Sequence, residues 1–426
     1  MAEPPFDAAR ARVDHLFRHR AGQMVSTLVR IFGFEHLDAI EDAVQDALVQ
    51  ALKRWPFEGE PANPSAWLTQ VAKNRLLDRL RRGQRWERRR GELERIVMVA
   101  ESEVPTGDDA LFSDELRDDT LRAIFACCHP AIPGPGRVAL TLRVVGGFSL
   151  PEIARAFLAR EDAISQRVLR SKQRLKRLGV RMELPPPEEL SERLDSALEV
   201  LYLIFNEGYS ALAGDDLVRI DLCHEAVRLA ELLADHPRVG TPPVHALAAL
   251  LLFHASRLPA RSDATRELLL LDEQDRSLWD AGMIRRGLEH FRQSARGDEL
   301  TQYHLEAEIA SCHALAGSLA ATDWAQVVAC YDTLLSRRPS PVVALNRAIG
   351  VAHLQGPAAG LAEIESLRQV RVLRGYHPLH TARGEFLRRL GRHREAADAY
   401  REAMSLTSSE PVRRFVARRI AEVEGS

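Results

Sequence analysis

An all-α fold is predicted for this chain of 426 residues. Apolar residues recur at three- and four-residue spacing through nearly every segment, while alternating runs rich in Val, Ile and Thr are scarce. Pro and Gly cluster at Pro56–Pro64, Pro130–Gly136, Pro185–Pro187, Gly240–Pro243 and Pro339–Pro341, where helices must break. The C-terminal part repeats a helical-hairpin pattern. Composition adds exclusions. With 46% apolar and 28% charged residues the chain is an ordinary globular sequence. Its 58 basic and 60 acidic residues leave a net charge of −2, which argues against a whole-chain polyanion binder or an acidic tail. Cys127, Cys128, Cys223, Cys312 and Cys330 are few and odd in number, so a reducing cytoplasm is expected. No run of about 18 apolar residues is present and the start, MAEPPFDAAR, has no apolar core, so no membrane span or signal peptide is expected.

Five segments follow from the breaks: 1–90, a charged linker at 91–112, 113–182, 183–290 and 291–426. In the first, Glu35, Asp38, Glu41, Asp42 and Asp46 are five acids in twelve residues with no Lys or Arg among them. Ile40, Val44, Ala47 and Leu48 interleave at helical spacing, so one helix carries an acidic and an apolar face. That helix is expected to end near Trp55-Pro56. After a loop, Trp67, Leu68, Val71, Leu76, Leu77 and Leu80 form an apolar stripe. Lys73, Asn74, Arg75, Arg79, Arg81 and Arg82 are assigned to the opposite side. From Lys73 to Arg95 ten basic residues face four acidic ones, with Trp67 and Trp86 nearby. Such a segment suits phosphate neutralisation and base stacking, although a solvated basic helix is the plainer explanation.

In the third segment, Ser149 and Glu152 have capping-box spacing and Pro151 fits a first turn. The short helix would turn Ile153, Ala154 and Phe157 inward. A tight connection from Leu158 to Asp162 leads to a longer helix with Ile164, Val168, Leu175 and Leu178 on its apolar side. Ser165, Gln166, Arg167, Arg170, Lys172, Arg174 and Lys176 lie on its polar side. Between Arg160 and Arg181 there are eight bases and two acids. Together they read as a helix-turn-helix whose second helix is sized for a major groove, or as a plain helical hairpin.

AIEDAVQDALVQAL, then NPSAWLTQVAKNRLLDRLRR, then FSLPEIARAFLAREDAISQRVLRSKQRL, in this order and spacing, resembles an extracytoplasmic-function sigma factor of RNA polymerase over about residues 8–180. The first two match sigma region 2 and the third the helix-turn-helix of region 4. The resemblance implies two partners, core RNA polymerase through its β and β′ subunits and promoter DNA. It implies that Asp38, Glu41, Asp42, Gln45 and Asp46 dock on the polymerase. The loop of about Trp55–Ser65 would capture a flipped −10 base. Asn63, Trp67, Lys73, Asn74, Arg75, Arg79 and Arg82 would serve the −10 element. Arg160, Ser165, Gln166, Arg167, Arg170, Lys172 and Arg174 would serve the −35 element. This chain departs from the family in having Leu158 at the usual turn Gly and Arg160 where a small N-cap is usual, which makes Asp162 the candidate cap.

A sigma factor of this kind ends soon after the helix-turn-helix, yet a long tail follows here. It holds LYLIFNEGYSA at Leu201–Ala211 and LLLDEQDRSLWD at Leu269–Asp280. Gly384, Leu390-Gly391, Glu395-Ala396, Tyr400, Ala403 and Leu406 follow the 34-residue tetratricopeptide pattern. Gly356, Leu361 and Glu365, then Val327, Tyr331, Leu334 and Pro339, echo it more weakly. Together with Cys127-Cys128-His129-Pro130 and Gln274-Asp275-Arg276, the tail resembles a sigma-factor group with a regulatory C-terminal extension. Asn206, Glu207, Gly208, Tyr209, Asp275 and Arg276 are its candidate regulatory residues. The extension would contact the sigma domains, or take a protein or small ligand on the repeats.

No metal or cofactor is expected. Adjacent Cys127 and Cys128 lack zinc spacing and read as buried thiols. Asn206-Glu207 reads as a helix end with Gly208 at the cap rather than as an acid–base pair. His245, His254 and His304 read as core or surface residues. Catalytic phosphate loops and nucleophile elbows are not found, so no enzyme is expected. Two rivals remain: a helical-repeat adaptor and an enzyme within 188–290.

Overall fold

The computed structural model describes residues 21–58, 61–83, 109–157, 159–209, 220–261, 269–407 and 409–425. Among them there is no strand, and the fold is all-α. No described helix is long and apolar enough to cross a membrane. Leu158, Trp86 and residues 91–108 of the expected 91–112 linker lie outside the described residues, whereas residues 109–112, assigned to that linker, begin a helix. Contacts divide the chain into two units, Met1–Leu203 and Ile204–Ser426. The division falls inside one helix, beyond the triple proline.

In the first unit, α1 covers 21–32, α2 Leu37–Glu58 and α3 Pro64–Gly83. α2 buries Ile40, Ala43, Val44 and Ala47 and turns its acids out. α3 lays Leu68, Ala72 and Leu76 against it. Each buried Leu or Ile contributes about 1.5–3 kcal/mol of transfer free energy, so these stripes account for the pairing. α2 does not end at Trp55-Pro56; it continues to Glu58. A proline so near the end removes a single backbone bond and is tolerated for one more turn. Asn63 starts α3, its side chain accepting the N–H of Ala66 at 2.8 Å.

α4 (Asp109–Cys127), α5 (Gly134–Val144), α6 (Leu150–Ala156) and α7 (Glu161–Leu178) follow. Ser149 and Glu152 form the expected capping box: the backbone N–H of Ser149 donates to Glu152 at 2.8 Å, and that of Glu152 to the Ser149 hydroxyl at 3.3 Å. α7 begins one residue before Asp162, so Asp162 is not its cap. Arg160 holds the N-cap position with no side-chain bond. Asp162 lies in the first turn, accepts from the N–H of Ala163 at 3.0 Å and pairs with Arg160 at 2.9 Å. An acid there still favours the positive end of the helix dipole. Ile164, Val168 and Leu175 are buried as expected, but Leu178 is exposed at the helix end.

These elements pack as one body. In α1, a Cβ at Gly22 would meet the Val145 carbonyl oxygen at 2.1 Å, so only glycine allows that approach. The buried carboxylate of Asp119 in α4 binds Arg30 at 2.7 Å and Arg122 at 2.8 Å. Val180–Glu183 run beside Val29, Arg30, Gly33 and Phe34 across a cleft of about 510 Å³. The start of α8 (Pro187–Tyr209) closes the unit: Arg193 donates to the Phe125 carbonyl at 2.8 Å, and Ser196 to that of Cys128. Cys127 and Cys128 are wholly buried, and burial pushes the Cys128 thiol up to about 11. Gly208 is not a C-cap: it lies within α8 and lacks a positive φ.

In the second unit, α9 (Ile220–Ala234), α10 (Pro242–Ala255), α11 (Ala281–Ser294) and α12 (Gln302–Leu315) come first. α10, PPVHALAALLLFHA, is apolar nearly all round, and α9, α11 and α12 cover it on several sides. Six helices then pair in sequence: α13 (Trp324–Arg337), α14 (Pro341–Leu354), α15 (Pro357–Leu367), α16 (His377–Arg389), α17 (His393–Ser405) and α18 (Glu410–Glu424). At α16–α17 a Cβ on Gly384 would meet the Tyr400 ring at 2.7 Å, so a small residue is needed for close packing. His304 closes a capping box with Thr301, and His245 bonds His290 at 2.9 Å.

Candidate functional site

The exposed face of α7 carries Ser165, Gln166, Arg167, Arg170 and Arg174, all open to solvent, with Arg160 just before it. Its opposite face is fixed by Ile164, Val168 and Leu175 on α5 and α6. Periodicity explains this arrangement: residues 165–167, 170 and 174 share the side that the apolar stripe leaves free. Lys172 is the exception. It is buried, and its ammonium pairs with Asp38 of α2 at 3.0 Å.

The acidic face of α2 is likewise partly engaged. Glu41 pairs with Arg143 at the end of α5, and that guanidinium also donates to the Phe148 carbonyl at 3.2 Å. Burial holds the Glu41 carboxyl above its ordinary range, with Arg143 opposing. Asp42 and Asp46 bind Arg79 of α3 at 2.6 and 2.8 Å. Gln45 is exposed. Asp38 remains 89% exposed despite its ion pair, so solvent screens the Asp38–Lys172 contact from the carboxylate side although Lys172 is buried, and its energy is small, about 0–1 kcal/mol.

The residues assigned to the second helix scatter. Asn74 and Arg75 are exposed, Asn74 accepting from Gln70 at 3.2 Å. Trp67 is half-buried with its ring 5.6 Å from that of Trp55. Lys73 is not on the outer side: it is only 3% exposed, turned with Ala72 and Leu76 into the unit. Position 73 lies between apolar neighbours one turn apart, and a long side chain there follows the stripe. Asn63 is occupied as a cap. Arg82 falls in the last turn of α3, where the backbone alone is described.

In the second unit, Asn206, Glu207 and Tyr209 end α8 half-buried. Desolvation raises the Glu207 carboxyl above its ordinary range. Asp275 caps a short turn by accepting from the N–H of Ser277 at 2.9 Å, and the Ser277 hydroxyl together with that N–H lowers its carboxyl. Arg276 donates to the carbonyls of His313 and Ala316, both at 2.7 Å. Tyr209 and Arg276 belong to one cluster with His254, Arg257, Arg261, Trp279 and His313. Of its members, Tyr209 and Arg276 are among the residues the sequence marks as candidates, while His254 reads there as a core or surface residue. Only folding brings residues 209, 254–261, 276–279 and 313 together, so spacing gave no signal.

Residues 16–87 match the sigma-70 region 2 family, and residues 193–295 match a family of unknown function, DUF6596. An uncharacterized protein of Rhizobium meliloti (strain 1021) is 40% identical over 388 residues, covering 91% of this chain and 90% of the relative. No solved structure matches the chain.

Proposed function

Because this chain belongs to the same family as the Rhizobium meliloti protein and carries a sigma-70 region 2, we propose that it is an extracytoplasmic-function sigma factor. It binds core RNA polymerase, recognises −35 and −10 promoter elements, and is regulated by its C-terminal extension. The observation that carries the reading is the region 2 match, lying over the acidic α2 and basic α3. The exposed Gln and Arg side chains of α7 support it, since such groups hydrogen-bond base edges while neighbouring guanidinium groups bind phosphate.

In this reading the acids of α2 exchange partners. Asp38, Glu41, Asp42 and Asp46 neutralise Lys172, Arg143 and Arg79 within the chain, and a basic polymerase surface replaces those cations on docking. The exposed pairs of Asp42 and Asp46 with Arg79 are worth about 0–1 kcal/mol each and exchange at small expense, whereas the largely buried Glu41–Arg143 pair opens only if the polymerase supplies a replacement cation. Release of Lys172 also completes the polar face of α7. The tetratricopeptide-like pairing of α16 with α17 gives the extension a surface for a protein or small ligand.

Transcription in vitro with purified core polymerase tests the reading. A promoter-specific product, dependent on bases near −35 and −10, is expected from DNA that the protein occupies in cells. Absence of any product from every occupied site would overturn it.

A further inference from the structure

Three arginines of the second unit meet in one side-chain cluster, with no ion pair to a carboxylate among the described residues. Arg261 lies over the Tyr209 ring, 3.7 Å from its centroid, and donates to the Tyr209 carbonyl at 2.7 Å. Arg257 and Arg276 share one ring, that of Trp279, at 5.3 and 4.4 Å. The polar contacts of Arg257 and Arg276 are neutral acceptors: Gln274 at 3.3 Å for Arg257, and the two carbonyls at the end of α12 for Arg276. His254 bridges the groups, its ring 5.2 Å from that of Tyr209.

Of the three arginines, Arg276 keeps an unsatisfied side-chain nitrogen, and the rings beside the group keep others. Buried polar atoms without a hydrogen-bond partner among the described residues include Nη2 of Arg276, Nε1 of Trp279, Nδ1 of His254 and Nδ1 of His313. Such orphans are uncommon, and four in one place call for an explanation. His254 is half-buried within the group. The surroundings are cationic: Arg257 and Arg261 act against a proton on His254, and Arg257 and Arg276 against one on His313. Stacking on Tyr209 and Trp279 fixes the guanidinium planes while leaving N–H edges free. Like charges held together this way repel, and an anion would relieve the repulsion and accept from the orphaned Nη2 of Arg276 and Nε1 of Trp279.

We propose that Arg257, Arg261 and Arg276, with His254, Trp279 and His313, form a binding site for a small oxyanionic ligand, a metabolite bearing a phosphate or carboxylate group. The aromatic wall continues beyond His313 to Trp324, 5.2 Å away, and to His353, stacked on Trp324 at 4.1 Å. That wall would accept the flat or apolar body of such a ligand. The site joins the 206–209 and 274–276 motifs to the first repeat helices within one unit. It stands independently of the transcriptional reading, because the test below measures binding alone.

The test uses the full chain with sodium pyrophosphate in one arm and sodium citrate in the other, ionic strength held constant with sodium chloride. Melting temperature is followed against probe concentration, and arginine modification by phenylglyoxal is mapped by mass spectrometry. At least one probe should raise the melting temperature saturably. The same probe should protect Arg257, Arg261 and Arg276 several-fold from modification while leaving the exposed Arg292 unprotected. Response to pyrophosphate alone identifies a phosphate ligand, and to citrate alone a carboxylate. Arg276→Gln should abolish the shift and Arg292→Gln should retain it. Should Arg276→Gln fail to fold, the modification map of the unaltered chain decides. No saturable shift with either probe, or equal modification of the three arginines with and without probe, would overturn the proposal, as would an undiminished shift in Arg276→Gln.

Discussion

At the residue scale, the exposed polar side of α7 and the histidine-containing cluster make separate predictions. Arg167 and Arg170 are exposed, so their removal leaves no buried group unpaired and should not disturb folding. Arg167→Ala or Arg170→Ala should therefore weaken promoter binding by about 1–3 kcal/mol, with an unchanged melting temperature. Footprinting of the −35 element against sequence variants would check this, and full retention of −35 dependence in both would count against α7 as the reader. His254 and His313 respond to pH. Burial, together with Arg257 and Arg261 for His254 and Arg257 and Arg276 for His313, holds these rings down to about 3 and about 4. Both are neutral in the folded state while the unfolded chain binds protons below the ordinary histidine range. Their contribution is thus fully present above pH about 6.5 and is lost as pH falls from there towards 4, by up to about 1.4 kcal/mol per pH unit for each ring. Calorimetry should show the second unit melting progressively earlier over that window. His254→Asn should flatten the dependence; an unchanged slope in that variant would refute the assignment.

At the scale of elements, pattern and packing agree where one helix faces one neighbour and part where a helix has several. The Ser149–Glu152 box and the buried face of α2 follow from local spacing, because capping and periodicity act within a few residues. Pattern and structure differ at Pro56 and Asp162 because each sits near a helix end, where one bond decides the boundary. Gly384 offers a direct probe of helix pairing. Gly384→Val would drive a branched side chain into the Tyr400 ring and should destabilise the second unit by about 1–3 kcal/mol, read as a lower melting temperature. The α2–α7 contact should be far weaker. A double-mutant cycle of Asp38→Asn and Lys172→Met should give a coupling energy below about 1 kcal/mol. A coupling of several kcal/mol would show that closure of these elements is not readily reversible.

At the scale of the whole molecule, the first unit includes the start of α8 as well as the helices before Pro185. Arg193 and Ser196 satisfy the carbonyls of Phe125 and Cys128, and Arg137 binds Glu199 at 3.0 Å. A fragment ending at Leu184 strips those partners from buried acceptors, whereas one ending at Leu203 keeps them. Residues 1–203 should therefore melt at a higher temperature than residues 1–184, and equal melting would show that α8 is not part of that unit.

By itself, the sequence determined the helical class, the acidic and basic faces, the capped helix-turn-helix and the resemblance to a sigma factor. All of these depend on spacing within one or two helical turns. The tertiary structure alone decided that Lys73 is buried, that Lys172 is paired with Asp38, and that Tyr209, His254, Arg257, Arg261, Arg276 and His313 share one cluster. Burial and charge pairing depend on which distant helix covers a side chain, and the period of a single helix carries no record of its neighbour.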